Sequence, residues 1–352
     1  MLTTGRGVAV VLAVLAAAHA IALPASAASR IQIRPAAAPA AIFADRDTAL
    51  AVDVTADAPF SGRLTWRLAA AGATLQEGDA VVSAPEAGTH AMQLRLRSPA
   101  VKPGVAMAAV LRMAAVADGG GAAATAAEMP VWLFPADPFA GRLEWLKGLG
   151  IRLFDPEQKT ADRFREAGVP FDEVRSISAA AASPGGLLVV GEGLSFRERR
   201  GLFGELARAA AAGMPVVCLA PADGQWSIAG DEDQAPPAPD RMTFRRAEVI
   251  RGLDKRLDAT GWMPDGKLTA RTLGLLGERG PVAVEVREGD AGWVWLELEY
   301  AAPRGAAPGR PARLVVCTLP VIERWDQGPS PRYWFAELLR YATSAPPTRG
   351  HE

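Results

Sequence analysis

Histidine is nearly absent from this chain: three in 352 residues, at His19, His90 and His351. The long stretch from 91 to 350 therefore contains no imidazole base, which Ser-His-Asp and Cys-His catalysis both need. It also contains no imidazole ligand for a metal. Cysteine is scarcer still, with only Cys218 and Cys317. Two cysteines make no disulfide framework. Both stand in apolar runs, PVVCLA and LVVCTL, where cysteine acts as a small buried hydrophobe. Free buried thiols are the expectation, because a bridge needs adjacent strands with well-aligned Cβ atoms. Excess charge of one sign is missing too: 38 Lys and Arg stand against 39 Asp and Glu, a net charge of −1. That balance gives no basic footprint for nucleic acid and no polybasic membrane patch. Neither a D-x-D-x-D-G calcium loop nor a G-x-x-x-x-G-K-[ST] phosphate loop occurs.

What is present begins with a targeting pattern. Arg6 supplies a positive n-region, residues 8–23 form an apolar run, and Ala25-Ser26-Ala27 offers a small-x-small cleavage site. The run is short for a bilayer span of ~20 residues. Residues 1–28 are therefore expected to be a signal peptide, and the mature protein periplasmic or secreted. An uncleaved N-terminal segment is the one membrane attachment left open. Removing Arg6, the only charge before Arg30, takes the net charge from −1 to −2. The remainder suits two domains at ~100–200 residues each.

Residues 29–135 read as all-β. Segments 48–55 (TALAVDVT) and 62–68 (GRLTWRL) alternate apolar and polar, with Trp66 a large inward side chain. Segments 76–82, 90–96 and 105–115 continue the series between Pro, Gly and Asp turns, as the short strands of a β-sandwich do. The low-complexity stretch 118–127 (DGGGAAATAA) reads as a long hairpin loop or flexible insert. A linker is placed at 136–148, within the Pro-rich junction that begins FPADPFAG at 134.

Residues 149–346 change period. A short apolar strand at 151–154 leads into Asp155 and Pro156, an N-cap and N1 pair, with Gly168 placed as the C′ glycine of that helix. A second strand is expected at 171–174. LLVV at 187–190 is bare enough to be buried on both faces. Ser195 and Glu198 form a capping box for a helix with the stripe Leu202, Phe203, Leu206 and Ala210, ending at Gly213. Segment 215–219 is the next buried strand. Residues 223–276 are irregular, with an acidic, proline-rich insert at 230–240. Segments 282–286 and 292–300 alternate as an antiparallel pair joined through Glu288-Gly289-Asp290. Trp293 and Trp295 share one face of the second, for packing or an interface. A last buried strand at 313–319 precedes a helix capped by Ser330 with Pro331 at N1, and then a tail at 347–352. Alternating strands and helices argue for a parallel sheet covered on both faces. The expected fold class is α/β plus all-β: a β-sandwich, then a three-layer α/β/α flavodoxin-like domain.

The order LLVVGEG, A-x-G-M-P-V-V-C-L-A-P and V-V-C-T-L-P before a closing helix resembles class I glutamine amidotransferase-like domains over roughly 150–345. Among these it is similar to the non-catalytic β-galactosidase trimerisation-type domain. Working members carry a nucleophilic cysteine on a G-x-C-x-G elbow, with a later histidine and an acid. Here the matching strand reads Val216-Val217-Cys218-Leu219-Ala220, with no flanking glycine. The resemblance thus implies the fold without its catalytic set. The sandwich, with its W-x-L strand and P-x-V-K-P-G-V-like turn, is similar to the immunoglobulin-like modules that accompany secreted carbohydrate-active enzymes.

Four carboxylates and one aromatic merit attention. Gly191-Glu192-Gly193 follows a buried strand, at the end where open α/β sheets bind ligands. The two glycines permit close approach, and a helix N-terminus favours anions, though Glu192 repels phosphate. The plainer reading is a structural turn whose carboxylate steadies the helix. Glu323, Trp325 and Asp326 follow the last parallel strand. With Glu192 and Asp223 they would line an acidic cleft, and carboxylates ~5–10 Å apart hydrolyse glycosides. Trp325 would stack on a sugar or simply pack. For Asp155 the N-cap role suffices, and Cys218 lacks the base a nucleophile needs.

The reading that follows is an exported, non-catalytic binding or scaffold protein with a pseudo-enzyme α/β domain. Its ligand-binding candidates are Gly191, Glu192, Gly193 and Trp325, with no cofactor, no metal and no nucleic acid. Its partner would be an envelope protein or a glycan in a carbohydrate-processing system. Two alternatives stand beside it. One is a glycan-acting hydrolase using Glu192, Asp223, Glu323 and Asp326. The other is a structural subunit of an envelope complex, docking or oligomerising through the strand at 293–300.

Overall fold

A computed structural model describes residues 30–35, 40–118, 126–182, 185–227, 236–257, 262, 270–276, 283–288, 292–301 and 312–344. The targeting pattern at 1–28, most of the 118–127 loop, the acidic part of the 230–240 insert, Gly289-Asp290 and the 347–352 tail lie outside the described residues.

The first half is all strand: β1 (Ile31–Pro35), β2 (Ala40–Phe43), β3 (Asp47–Ala56), β4 (Phe60–Ala70), β5 (Ala73–Ala84), β6 (Gly88–Arg97), β7 (Met107–Ala117) and β8 (Ala127–Phe134). They form a three-stranded sheet, β1-β3-β6, and a five-stranded sheet, β2-β8-β7-β4-β5. Every second side chain of β4 is buried. Val52, Val54, Leu94 and Leu96 of one sheet share a core with Leu64, Leu68, Leu111 and Leu133 of the other, so this half is a two-sheet sandwich. Trp66 faces inward as expected and is buried. Gly78 lies against its indole ring, where a Cβ would come within 2.6 Å.

The second half runs α1 (Leu143–Leu149), β9 (Ile151–Phe154), α2 (Lys159–Glu166), β10 (Asp172–Glu173), α3 (Ile177–Ala182), β11 (Leu187–Val190), α4 (Leu202–Ala211), β12 (Val216–Leu219), β13 (Gly224–Ser227), β14 (Arg241–Arg245), α5 (Val249–Leu253), β15 (Arg271–Leu276), β16 (Ala283–Glu288), β17 (Trp295–Glu299), β18 (Arg313–Cys317) and α6 (Pro329–Thr343). The main sheet is ordered β10-β9-β11-β12-β18-β17-β14. Its first five strands are parallel, and β17 and β14 extend it antiparallel. A smaller antiparallel sheet is ordered β13-β16-β15. The molecule is therefore mixed α/β with several sheets.

Alternation along the central strands divides their side chains between two cores. Leu153, Val189, Val217, Val315 and Cys317 pack with residues of α1, α2, α5 and α6. Leu188, Val190, Val216, Cys218, Leu314 and Val316 pack with α3, α4 and the small sheet. Cys218 and Cys317 occupy neighbouring strands, with Cys218 opposite Val316 and Cys317 opposite Leu219. They therefore point to opposite faces, and both are free and buried.

Several local expectations need correction. Segments 282–286 and 292–300 do not pair with each other: β16 pairs with β13 and β15, and β17 with β14 and β18. Alternation shows that a strand is half-buried but not which strand it joins. Helix α2 begins at Lys159 after Gln158, not at Pro156. Asp155 still serves it, because the Ala161 N–H donates to Asp155 Oδ2 at 2.8 Å. Ser195 accepts from the Glu198 N–H at 3.2 Å, but this closes a turn and α4 starts only at Leu202. Gly328 is the N-cap of α6, and Ser330 is buried within its first turn. Helix α1 occupies part of the stretch read as linker, and its Leu146 and Leu149 are core residues.

Candidate site at the carboxyl end of the parallel sheet

In chain order, the parallel strands lie second, first, third, fourth, fifth across the sheet. The order reverses between β9 and β11, the switch point where open α/β sheets form their binding crevice. Asp155 follows β9 and Gly191-Glu192 follow β11. The two loops touch: a methyl group on Gly191 would stand 2.3 Å from Asp155 Oδ1. The absence of a side chain at Gly191 thus admits Asp155's own carboxyl rather than an open approach for a ligand. Asp155 is buried, and its Oδ1 has no hydrogen-bond partner among the described residues. Desolvation raises its pKa, opposed by hydrogen bonds from the backbone of Ala161 and Thr160.

Glu192 is 8 % exposed. Both of its carboxyl oxygens are engaged: the Ile322 N–H donates to Oε2 at 2.8 Å and the Glu323 N–H to Oε1 at 3.0 Å. Its own N–H donates to the hydroxyl of fully buried Thr160 at 2.9 Å. Desolvation pushes the carboxyl pKa up to about 7, opposed by those two N–H donors and, more weakly, by Lys159. Glu192 therefore joins the loop after β11 to the turn after β18. Gly193, with φ +91°, donates its N–H to the Ala220 carbonyl at 3.0 Å, joining the same loop to the end of β12. These bonds fasten the carboxyl-end loops to one another.

The remaining candidates are placed differently. Trp325 is 3 % exposed; it meets Phe335 edge-on with ring centroids 5.8 Å apart, and Arg332 covers it at 5.6 Å. It is a core residue and offers no sugar platform. Glu323 contributes its backbone to Glu192, while its exposed side chain pairs with Arg324 at 3.0 Å. Asp326, also exposed, pairs with Arg332 at 2.6 Å and Arg163 at 3.0 Å. Asp223 accepts from the Ser195 hydroxyl at 2.6 Å and lies beside it in a parallel bridge. The structure thus brings Glu192 and the Glu323 backbone together and assigns separate partners to Asp223 and Asp326. Cys218 lies inside β12, fully buried, and burial pushes its thiol pKa well up. Among the described residues no group of three or more His, Cys, Asp or Glu is arranged to hold a metal ion. Sequence reasoning missed Thr160 and the Ile322 N–H, since neither a helix threonine nor a main-chain donor carries a pattern.

No protein-family model matches the chain, and no curated protein matches it. Solved structures give faint likenesses. One is a Paenibacillus sp. cycloisomaltooligosaccharide glucanotransferase complexed with cycloisomaltoheptaose: 9% identity over 74% of this chain and 34% of that one, TM-score 0.27. Another is Bacteroides uniformis β-glucuronidase 2, at 10% identity over 54% of this chain and 33% of that one, TM-score 0.23. A third is the CARDB domain of a Pyrococcus furiosus protein in complex with di-metal ions, at 9% identity over 30% of this chain and 87% of that one, TM-score 0.20. At these scores the likeness carries no inference about activity.

Proposed function

We propose that this chain is a non-catalytic binding or scaffold protein. In this reading the second half is a flavodoxin-like unit of amidotransferase type without a catalytic set, joined to an immunoglobulin-like sandwich. The observation that carries the reading is how the two buried acids at the switch point are used: Glu192 spends both oxygens on main-chain donors of the opposite loop, and the unbonded Oδ1 of Asp155 is buried against Gly191. A general acid or nucleophile needs an oxygen free to meet substrate. Two further features support it. The strand order second, first, third, fourth, fifth is that of flavodoxin-like sheets. Cys218, where the amidotransferase resemblance would place the nucleophile, is sealed inside a strand, and a thiol held neutral is a poor nucleophile. Export to the periplasm or beyond, and service to a carbohydrate-processing envelope assembly, rest on the N-terminal sequence and the resemblance. No helix among the described residues is long and apolar enough to cross a membrane.

The test is to incubate the full chain with glutamine and with a panel of envelope glycans, following ammonia and reducing ends. Neither should exceed the blank, while a glycan or envelope protein that binds the native state raises Tm by mass action. Turnover that disappears in Glu192→Gln would establish a carboxylate enzyme instead.

A further inference from the structure

At the antiparallel margin of the main sheet, apart from the carboxyl-end loops, a cavity of about 380 Å³ opens among β14, β17, the start of β18 and the last turn of α6. Its lining holds four guanidiniums, from Arg241, Arg245, Arg313 and Arg340, against two carboxylates, Glu297 and Glu299. Arg340 is already paired with Glu337, its Nε donating at 2.7 Å, so three positive charges face two negative ones and leave a formal +1.

The wall is built rather than incidental. Glu297 is 1 % exposed, and the Tyr341 hydroxyl donates to its carboxylate, 2.8 Å from Oε2 and 3.0 Å from Oε1. Arg313 is 3 % exposed and donates through Nη1 to the Tyr341 carbonyl at 2.9 Å. Its Nε lies 3.5 Å from Glu297 Oε1 and has no hydrogen-bond acceptor among the described residues. Arg245 stacks on Trp295 and Tyr341, at 5.9 and 5.7 Å from the ring centroids, and stands 3.9 Å from Glu297. One buried carboxylate is thus shared between two guanidiniums. At the mouth Arg241 is exposed, and no ion pair to it occurs among the described residues. A buried guanidinium short of acceptors is costly. The group that matches its forked donors is a carboxylate or phosphate, bound bidentately.

We propose that this cavity binds a small polar molecule through a carboxylate or phosphate group, with Arg313 and Arg245 on the oxyanion and Arg241 at the mouth. The volume is at the small end of the ~300–1,000 Å³ typical of ligand pockets, which suits a single sugar acid or sugar phosphate. Nothing in this site depends on the carboxyl-end loops, so it stands or falls separately from the reading given above.

Calorimetric titration of the full chain decides it, using glucuronate, inorganic phosphate and, as the uncharged control, glucose. At least one anion should bind saturably while glucose does not. Phosphate alone would assign a tetrahedral oxyanion, and glucuronate alone a carboxylate. Arg245→Ala and the solvent-exposed Arg241→Ala should each weaken binding by ~10-fold or more, the worth of a charged hydrogen bond. Arg63→Ala in the sandwich should leave it unchanged. If Arg245→Ala does not fold, Arg241→Ala carries the comparison alone. The proposal is overturned if neither anion binds by about 10 mM, a level at which a weak site still registers. It is equally overturned if glucose binds as tightly as glucuronate, or if every folded variant binds like the wild type.

Discussion

Glu192 is the residue at which charge and architecture meet most closely. An ordinary glutamate titrates at ~4.3, whereas desolvation raises this one to about 7 in the folded chain. The native state therefore holds the proton more tightly than the unfolded state does. This group's contribution to stability is fullest below about pH 4.3, falls as the pH rises toward 7, and is level above that. Urea denaturation at pH 5 and pH 8 should show the wild type losing on the order of 2 kcal/mol through this carboxyl. Glu192→Gln should lose that part of the dependence; an identical pH difference in both proteins would remove Glu192 as its source. The sequence made Glu192 conspicuous, between two glycines after a buried strand. It could not show that both oxygens face Ile322 and Glu323, about 130 positions away, because such pairings are fixed only by the fold. Trp325 failed as a sugar platform for a similar reason. An aromatic beside acids looks the same in sequence whether it faces solvent or Phe335.

At the scale of elements, β17 is the instructive case. The alternation of 292–300 and its two tryptophans fitted a docking edge, yet only Trp295 lies in β17 and β14 lies outside that strand in the sheet. Trp293 packs with the other core, so the two rings do not share a face. Trp295 is fully buried, edge-on to Trp334 and Tyr341 with centroids 5.9 and 5.5 Å away. Trp295→Ala should therefore destabilise the fold by about 3–5 kcal/mol, the cost of emptying a large aromatic site in a core. Denaturant titration gives the value, and a loss below ~1 kcal/mol would indicate a surface role. The bare runs LLVV and VVCL were legible as central strands because burial on both faces leaves no polar position. The charged residues inside β17 and β18, Glu297 and Arg313, were the missed signal. Buried strands seldom carry charge unless it is paired or used.

For the whole molecule the question is how the sandwich meets the α/β half. Arg332 of α6 stacks over Phe43 at 4.8 Å and over Trp325 at 5.6 Å, and donates to the carbonyls of Ala136 at 2.7 Å and Trp325 at 2.8 Å. Beside it Tyr333 packs on Phe134 and donates to the Pro135 carbonyl at 3.0 Å. One side chain thus fills an aromatic slot between the halves and satisfies main-chain acceptors of the junction and of the α/β half. Arg332→Ala should cost about 2–3 kcal/mol through those charged hydrogen bonds. It should also separate the unfolding of the two halves, which tryptophan fluorescence and far-UV circular dichroism would then report at different midpoints. Coincident midpoints in the variant would show that the halves are held together elsewhere. The change of hydrophobic period near 150 was legible, and helices first enter the element order at Leu143. The contact between the parts was not, because it is made by arginine and carbonyl groups that any surface could carry.

The position of β18 bears on how the protein is made. It lies between β12 and β17 in the sheet, yet it is the last described strand in chain order. The sandwich strands pair only among themselves within residues 31–134, so that half can close as the chain emerges N-terminus first, before the rest has followed. Strand β12, with its bare VVCL, must then wait through everything from 220 to 312 before its neighbour emerges. An apolar strand edge left open that long is a point of capture by other nascent chains. Slow emergence of that interval therefore exposes the protein to aggregation more than a comparable delay within the sandwich.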